Sequence, residues 1–132
     1  MAKLYESGEN YLETILVLHL NSNFVRAVDI AHELDVSKPS VSRAMGILRD
    51  GGFISIAEDG NITLTDSGRE VAERIYERHL VLSQWLIDLG VSPETAAEDA
   101  CKMEHDISIE SFQALKAHLR AEHPNVRLEA EA

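Results

Sequence analysis

Three side chains able to bind a metal fall within five residues: Cys101, Glu104 and His105. On a helix these positions are i, i+3 and i+4, so they share one face. A thiolate, a carboxylate and an imidazole converging there make a mixed S/O/N ligand set. That set suits Fe²⁺, Co²⁺, Ni²⁺ or Zn²⁺ better than Mg²⁺ or Ca²⁺. Two further candidates lie elsewhere in the chain: His79, a polar residue on an apolar helical stripe, and Glu13, on a first helix that is apolar on nearly all sides. Each has an ordinary explanation when taken alone. A histidine on a buried stripe is commonly a hydrogen-bonded core residue, and a lone cysteine is commonly a small buried hydrophobe. Glu13 then reads as an exposed acid, and Glu104 with His105 as a solvated pair. Three chelating types at one helical spacing is the more specific signal. His19, His32, His118 and His123 lack comparable company and read as surface or core histidines.

A second constellation lies in Ser37–Arg49. Ser37 is a good N-cap, and Pro39 falls in the first turn, where a missing N–H is no loss. Val41, Ala44, Met45 and Leu48 face inward. The opposite side offers Ser37, Lys38, Pro39, Ser40, Ser42 and Arg43: small hydroxyls, a basic tip and one forked guanidinium. Hydroxyls near a helix start can donate to phosphates, and Arg43 can grip a guanine edge with two bonds. A capped amphipathic helix with no partner has the same pattern, so the neighbouring elements must decide.

Those elements follow from hydrophobic period. Helices are expected over Ser7–Asn21, Arg26–Asp35 and Lys38–Arg49. Two period-two runs, 53–57 and 61–65, flank Glu58-Asp59-Gly60, and Asp-Gly between β-rich runs marks a hairpin. Thr65 caps a long helix over Asp66–Leu89 with the stripe Val71, Ile75, His79, Leu82, Leu86 and Leu89. Ser92-Pro93 opens another helix through Cys101 to His105, and a last one covers Ile109–Glu122. Helix, short turn, helix, then a two-stranded hairpin is the order of a winged helix-turn-helix, whose second helix lies in the major groove.

The 132 residues carry 12 Lys+Arg against 23 Asp+Glu, a net charge of −11. Such a surface repels phosphate unless something neutralises it, and it attracts divalent cations. No run of about 18 apolar residues exists to form a membrane span. The N-terminus, Met1-Ala2-Lys3-Leu4-Tyr5-Glu6, has no apolar signal core, and one cysteine forms no internal disulfide. A cytoplasmic location without membrane partners is expected.

Taken together, the chain resembles the DtxR/MntR family of metal-dependent transcriptional repressors, which respond to iron or manganese. The resemblance covers residues 7–122. It rests on Glu9-Asn10-Tyr11-Leu12-Glu13-Thr14-Ile15, Ile30-Ala31-His32-Glu33-Leu34, Ser37-Lys38-Pro39-Ser40-Val41-Ser42, Leu64-Thr65-Asp66-Ser67-Gly68-Arg69, Arg78-His79 and Cys101-Lys102-Met103-Glu104-His105, in that order. It implies metal ligands at Asn10, Glu13, His79, Cys101, Glu104 and His105. Asn10 departs from the Met or Asp that family members carry there. Cys101 resembles the iron-responsive branch. Ser83 and Ala97, however, stand where that branch places Glu and His for an ancillary site. The 132 residues hold no counterpart of the SH3-like third domain of longer iron-responsive members, so the layout resembles the shorter manganese-responsive ones.

The resemblance implies a mainly α protein. Its winged helix-turn-helix DNA-binding domain would cover residues 1–70, and an all-helical metal-binding and dimerisation domain residues 71–124. Residues 125–132 would be a flexible tail. The expected function is a repressor, not an enzyme, that binds double-stranded operator DNA as a homodimer when Fe²⁺ or Mn²⁺ occupies its site. Zn²⁺, Co²⁺ or Ni²⁺ would bind in vitro. Ile107, Ile109, Phe112 and Leu115 would carry the dimer contact. Two other readings stay open: a winged-helix redox sensor using Cys101 as its thiol, and a winged-helix protein-interaction module favoured by the acidic charge.

Overall fold

The computed structural model describes Leu4 and residues 6–124; the expected flexible tail, 125–132, lies outside them. In chain order the elements are α1 (Glu6–Asn21), α2 (Ala27–Leu34), α3 (Lys38–Asp50), β1 (Ile54–Ile56), β2 (Ile62–Leu64), α4 (Asp66–Asp88), α5 (Pro93–Met103) and α6 (Ile109–Glu122). They form two compact units, divided between Glu73 and Arg74 inside α4.

The first unit is built on α1, whose Leu12, Ile15 and Leu16 are buried at 0–2% exposure. Burying side chains of this size stabilises by about 1.5–3 kcal/mol each. α2 opens with the Arg26 N–H donating to the Asp29 carboxylate at 2.8 Å. It closes on Asp35, held in the left-handed region at φ +54°, with the Val36 N–H bonded to the Ala31 carbonyl. This cap turns the chain sharply into α3. There the Ser40 N–H donates to Ser37 Oγ at 3.3 Å, and Val41, Met45 and Leu48 are buried. The hairpin pairs Ile54 with Leu64, Ser55 with Thr63 and Ile56 with Ile62, antiparallel. Its strands are shorter than the β-rich runs because Ala57 and Gly60 already belong to the turn, where the Gly60 N–H bonds the Ala57 carbonyl. Gly60 sits at φ +90°, which favours glycine.

Thr65 caps α4 as its position predicts. Its hydroxyl donates to the Gly52 carbonyl at 2.7 Å and accepts from the Gly68 N–H at 3.2 Å. Gly68 is required for a steric reason. A Cβ there would lie 1.9 Å from the Phe53 carbonyl oxygen, which itself accepts from the Thr65 N–H.

In the second unit, Ser92 and Ser108 cap α5 and α6, accepting from the Thr95 and Ser111 N–H groups at 3.4 and 3.1 Å. The core cluster is Val81, Phe112 and Leu119, with Ile107 and Leu115 packed against it. Lys116 Nζ reaches Glu77 Oε2 at 3.0 Å and ties α6 to α4. Two details differ from expectation. α5 stops at Met103, because the chain tightens there: the Glu104 N–H still bonds Ala100, but the Asp106 N–H turns to Met103. Leu89 is 66% exposed, next to the helix-ending Gly90 at φ +103°. Of the four residues expected at a dimer contact, Ile107, Phe112 and Leu115 pack within their own unit, and Ile109 is the one that presents open apolar surface, at 70% exposure.

Candidate metal centre and nucleic-acid interface

Glu104 keeps helical backbone, its N–H bonded to the Ala100 carbonyl, and the tighter turn that follows carries His105. The Glu104 side chain is completely buried, and neither carboxylate oxygen has a hydrogen-bond partner. Two imidazoles flank it. His79 Nδ1, from α4, lies 3.4 Å from Oε2, and His105 Nε2 lies 3.6 Å from Oε1. Both distances are long for an N–H···O bond, and His79 Nδ1 is itself buried without a partner. The His105 side chain is 2% exposed.

Burying an ionised carboxylate costs several kcal/mol unless a partner compensates it. A fully buried carboxylate with both oxygens unpaired, flanked by the buried His105 ring and by His79, whose ring is a quarter exposed but whose Nδ1 is buried without a partner, fits a divalent cation. A hydrogen-bonded core would have paired those atoms.

The turn is held by a residue that the ligand spacing did not mark. Arg78 Nη1 donates to the Glu104 carbonyl at 3.2 Å and to the Ile107 carbonyl at 2.7 Å. Its guanidinium lies 5.4 Å from the Phe112 ring centroid, within cation–π range, and the residue is 8% exposed. Arg78 therefore fixes the backbone that carries Glu104. A signal existed in the sequence: Arg78 falls between Ile75 and Leu82 on the inward stripe of α4, where a guanidinium needs carbonyl partners.

The other sequence candidates sit as follows. Glu13 is in the middle of α1 at 9% exposure, among the few buried polar residues, so it is not the exposed acid of the ordinary reading. Asn10, half-buried on the same helix, accepts the Thr14 hydroxyl on its carbonyl at 2.8 Å. Cys101 is exposed on α5, so the buried donors around Glu104 are oxygen and nitrogen. Ser83 Oγ is buried without a partner one turn beyond His79, and Ala97 is exposed. Two histidines read as ordinary have specific partners: His123 pairs with Asp88 at 2.7 Å, and His19 bonds into the hairpin.

On α3 the candidate DNA face is open. Ser37, Lys38, Pro39, Ser42 and Arg43 are exposed, and Ser40 is half-buried. Ser37 and Ser40 bond one another through their hydroxyls at 2.8 Å, so part of their hydrogen-bonding capacity already serves the cap. The hairpin tip carries Glu58 and Asp59, both exposed. Asp59 is folded back to accept the Asn61 N–H at 3.0 Å. Among the described residues, no helix is long and apolar enough to cross a membrane.

Two family models match. Residues 3–62 match the iron dependent repressor N-terminal DNA binding domain, and residues 65–126 match the iron dependent repressor metal binding and dimerisation domain. The transcriptional regulator MntR of Salmonella typhimurium is 38% identical over 109 residues, covering 83% of this chain and 69% of that protein. An uncharacterized HTH-type transcriptional regulator of Methanocaldococcus jannaschii is 33% identical over 113 residues, covering 84% of this chain and 90% of the relative. A solved manganese-dependent transcriptional repressor in complex with manganese superposes with a TM-score of 0.78 at 27% identity, over 85% of this chain. The chain spans about half, 52%, of that structure's length.

Proposed function

Because the chain belongs to the iron-dependent (DtxR/MntR) family of metal-responsive transcriptional repressors, we propose that it represses transcription in the cytoplasm by binding operator DNA as a homodimer when Fe²⁺ or Mn²⁺ is bound. The observation that carries this reading is the Glu104 carboxylate, fully buried with both oxygens unsatisfied between two imidazoles. A core that needed no cation would have no use for it.

Around Glu104 the ligands are His79 from α4 and Glu104 itself, with His105 beside it and Cys101 one turn before it; the family resemblance adds Glu13 and, one turn before it on α1, Asn10. Two carboxylates and imidazole nitrogen favour Mn²⁺ or Fe²⁺; the exposure of Cys101 tilts the donors toward oxygen and nitrogen. A bound divalent ion supplies the positive charge that the buried carboxylates lack and lowers the net charge of −11 that opposes approach to phosphate. The rest is done by side chains. Glu13 draws on α1, His79 on α4, and Arg78 keeps the Glu104 turn in place.

α1 packs against α2, α3 and β2, so fixing α1 fixes the recognition helix it supports. On α3, Lys38, Ser42 and Arg43, with Ser37, Pro39 and Ser40 at the helix start, meet the duplex. The assignment of residues 1–70 to DNA and 71–124 to metal and dimerisation follows from this division of labour. Ile109 is the open apolar surface on α6 for the second copy. The coupling required is about 1–3 kcal/mol per linked equilibrium.

The test is anaerobic titration of metal-stripped protein with Mn²⁺ or Fe²⁺ while binding to operator-length DNA is followed. Metal-dependent binding, lost on chelation and lost in His79→Ala, is expected. DNA binding that persists with chelator under reducing conditions, and responds to oxidation through the exposed Cys101, would replace this reading with the redox one.

A further inference from the structure

α1 carries Glu13 in its middle and His19 in its last turn. The His19 ring leaves the helix for the hairpin: Nε2 lies 2.6 Å from the Ile62 carbonyl in β2, and Nδ1 lies 3.2 Å from the Ser22 carbonyl. With its proton on Nε2, the ring donates to Ile62 across 43 residues of sequence. The same strand is anchored on its other neighbour. The Ile62 N–H donates to the Val25 carbonyl at 2.8 Å, and Asn61 Oδ1 accepts the Val25 N–H at 2.9 Å. The end of α1, the segment after it and β2 are therefore one hydrogen-bonded body. Apolar packing between a helix and a strand is non-directional and tolerates sliding, whereas a 2.6 Å hydrogen bond sets a fixed position.

That position matters in this chain because the hairpin tip is acidic. Glu58 and Asp59 are exposed, and no base lies between Ala57 and Asn61. A hairpin free to swing would bring two carboxylates toward the phosphates, which oppose them. Resting on the reading that Glu13 ligates the corepressor ion, we infer that His19 is the positioning residue that couples α1 to the hairpin. The state of α1 thereby sets where the acidic tip stands as well as where α3 stands.

The experiment uses the full chain as wild type, His19→Ala and His19→Gln, the last keeping a donor on a shorter, flexible side chain. DNA affinity is measured with Mn²⁺ and with chelator, and Mn²⁺ affinity is measured without DNA. His19→Ala is expected to shrink the ratio of DNA affinities, with Mn²⁺ over with chelator, by about tenfold, the scale of one well-placed hydrogen bond. Its Mn²⁺ affinity without DNA stays within about twofold of wild type, because His19 is not a ligand. His19→Gln restores part of the ratio. Amide hydrogen exchange at Ile62 and Thr63 is expected to slow on Mn²⁺ addition in wild type and not in His19→Ala.

An unchanged ratio overturns the inference. So does DNA affinity falling by one factor in both conditions, which is the mark of a merely structural role, or a glutamine variant no better than alanine. Wild-type binding indifferent to Mn²⁺ is a separate result: it refutes the corepressor reading itself and this inference with it.

Discussion

Glu104→Gln sets stability against metal response. In the metal-free protein the Glu104 carboxylate is fully buried and both oxygens lack a hydrogen-bond partner, with imidazole nitrogens at 3.4 and 3.6 Å. A buried polar group left unsatisfied costs about 1–3 kcal/mol, and more when charged. The amide keeps the shape, removes the charge and gives one flanking imidazole nitrogen a donor. A net gain of about 1–2 kcal/mol is expected in the metal-free state. For a chain of this size that raises Tm by roughly 3–8 °C. The metal-bound state moves the other way. At a hundredfold excess over Kd, an ion stabilises the wild type by about 2.7 kcal/mol, and the variant that cannot hold it gains nothing. Thermal unfolding followed by circular dichroism, with chelator and with Mn²⁺, should therefore show the two proteins exchanging rank. A metal-free variant less stable than wild type would mean that Glu104 is an ordinary structural residue. A variant that kept the full Mn²⁺ shift would mean that the ion sits elsewhere.

Four further outcomes test the supporting structure and the DNA face. Gly68→Ala should cost about 3 kcal/mol or more in urea unfolding, because its Cβ would meet the Phe53 carbonyl at 1.9 Å and that carbonyl is pinned by Thr65. Gly46→Ala, with nothing nearer than 4.0 Å, should instead stabilise α3 by about 0.5–1 kcal/mol. Arg78→Met should destabilise the chelator-treated protein by about 1–3 kcal/mol, since the Glu104 and Ile107 carbonyls lose their shared donor. It should also weaken Mn²⁺ binding, measured by calorimetry, and Arg78→Lys should recover part of both. Arg43→Ala should cost about 1–3 kcal/mol on specific DNA and less on random duplex, measured by fluorescence anisotropy at fixed salt.

The order of elements was legible because each boundary carries its own chemistry. Ser37, Thr65 and Ser92 accept backbone N–H groups at the helix starts, and Gly60 makes the hairpin turn that Asp-Gly predicts. Spacing marked Glu104 and His105, and the family resemblance added His79, whose Nδ1 lies 3.4 Å from the Glu104 carboxylate.

What was not legible depended on side-chain direction and local backbone geometry. Helical spacing grouped Cys101 with Glu104 and His105, but it did not show that Cys101 is exposed while the Glu104 side chain is fully buried, or that the chain tightens after Glu104. Helical period did not show that Phe112 packs into the core cluster of its own unit with Val81 and Leu119, since apolar burial of either kind has the same pattern. His19 looked like a solitary histidine because its partner, a backbone carbonyl 43 positions away, has no signature in sequence.

The most direct test of the account is a crystal of the Mn²⁺-loaded protein with anomalous data collected on both sides of the manganese edge. A peak is expected in coordination range of the Glu104 carboxylate and the His79 ring, with Glu13 among its ligands. A manganese peak elsewhere, or binding of full affinity with Glu104 still unligated, would contradict it.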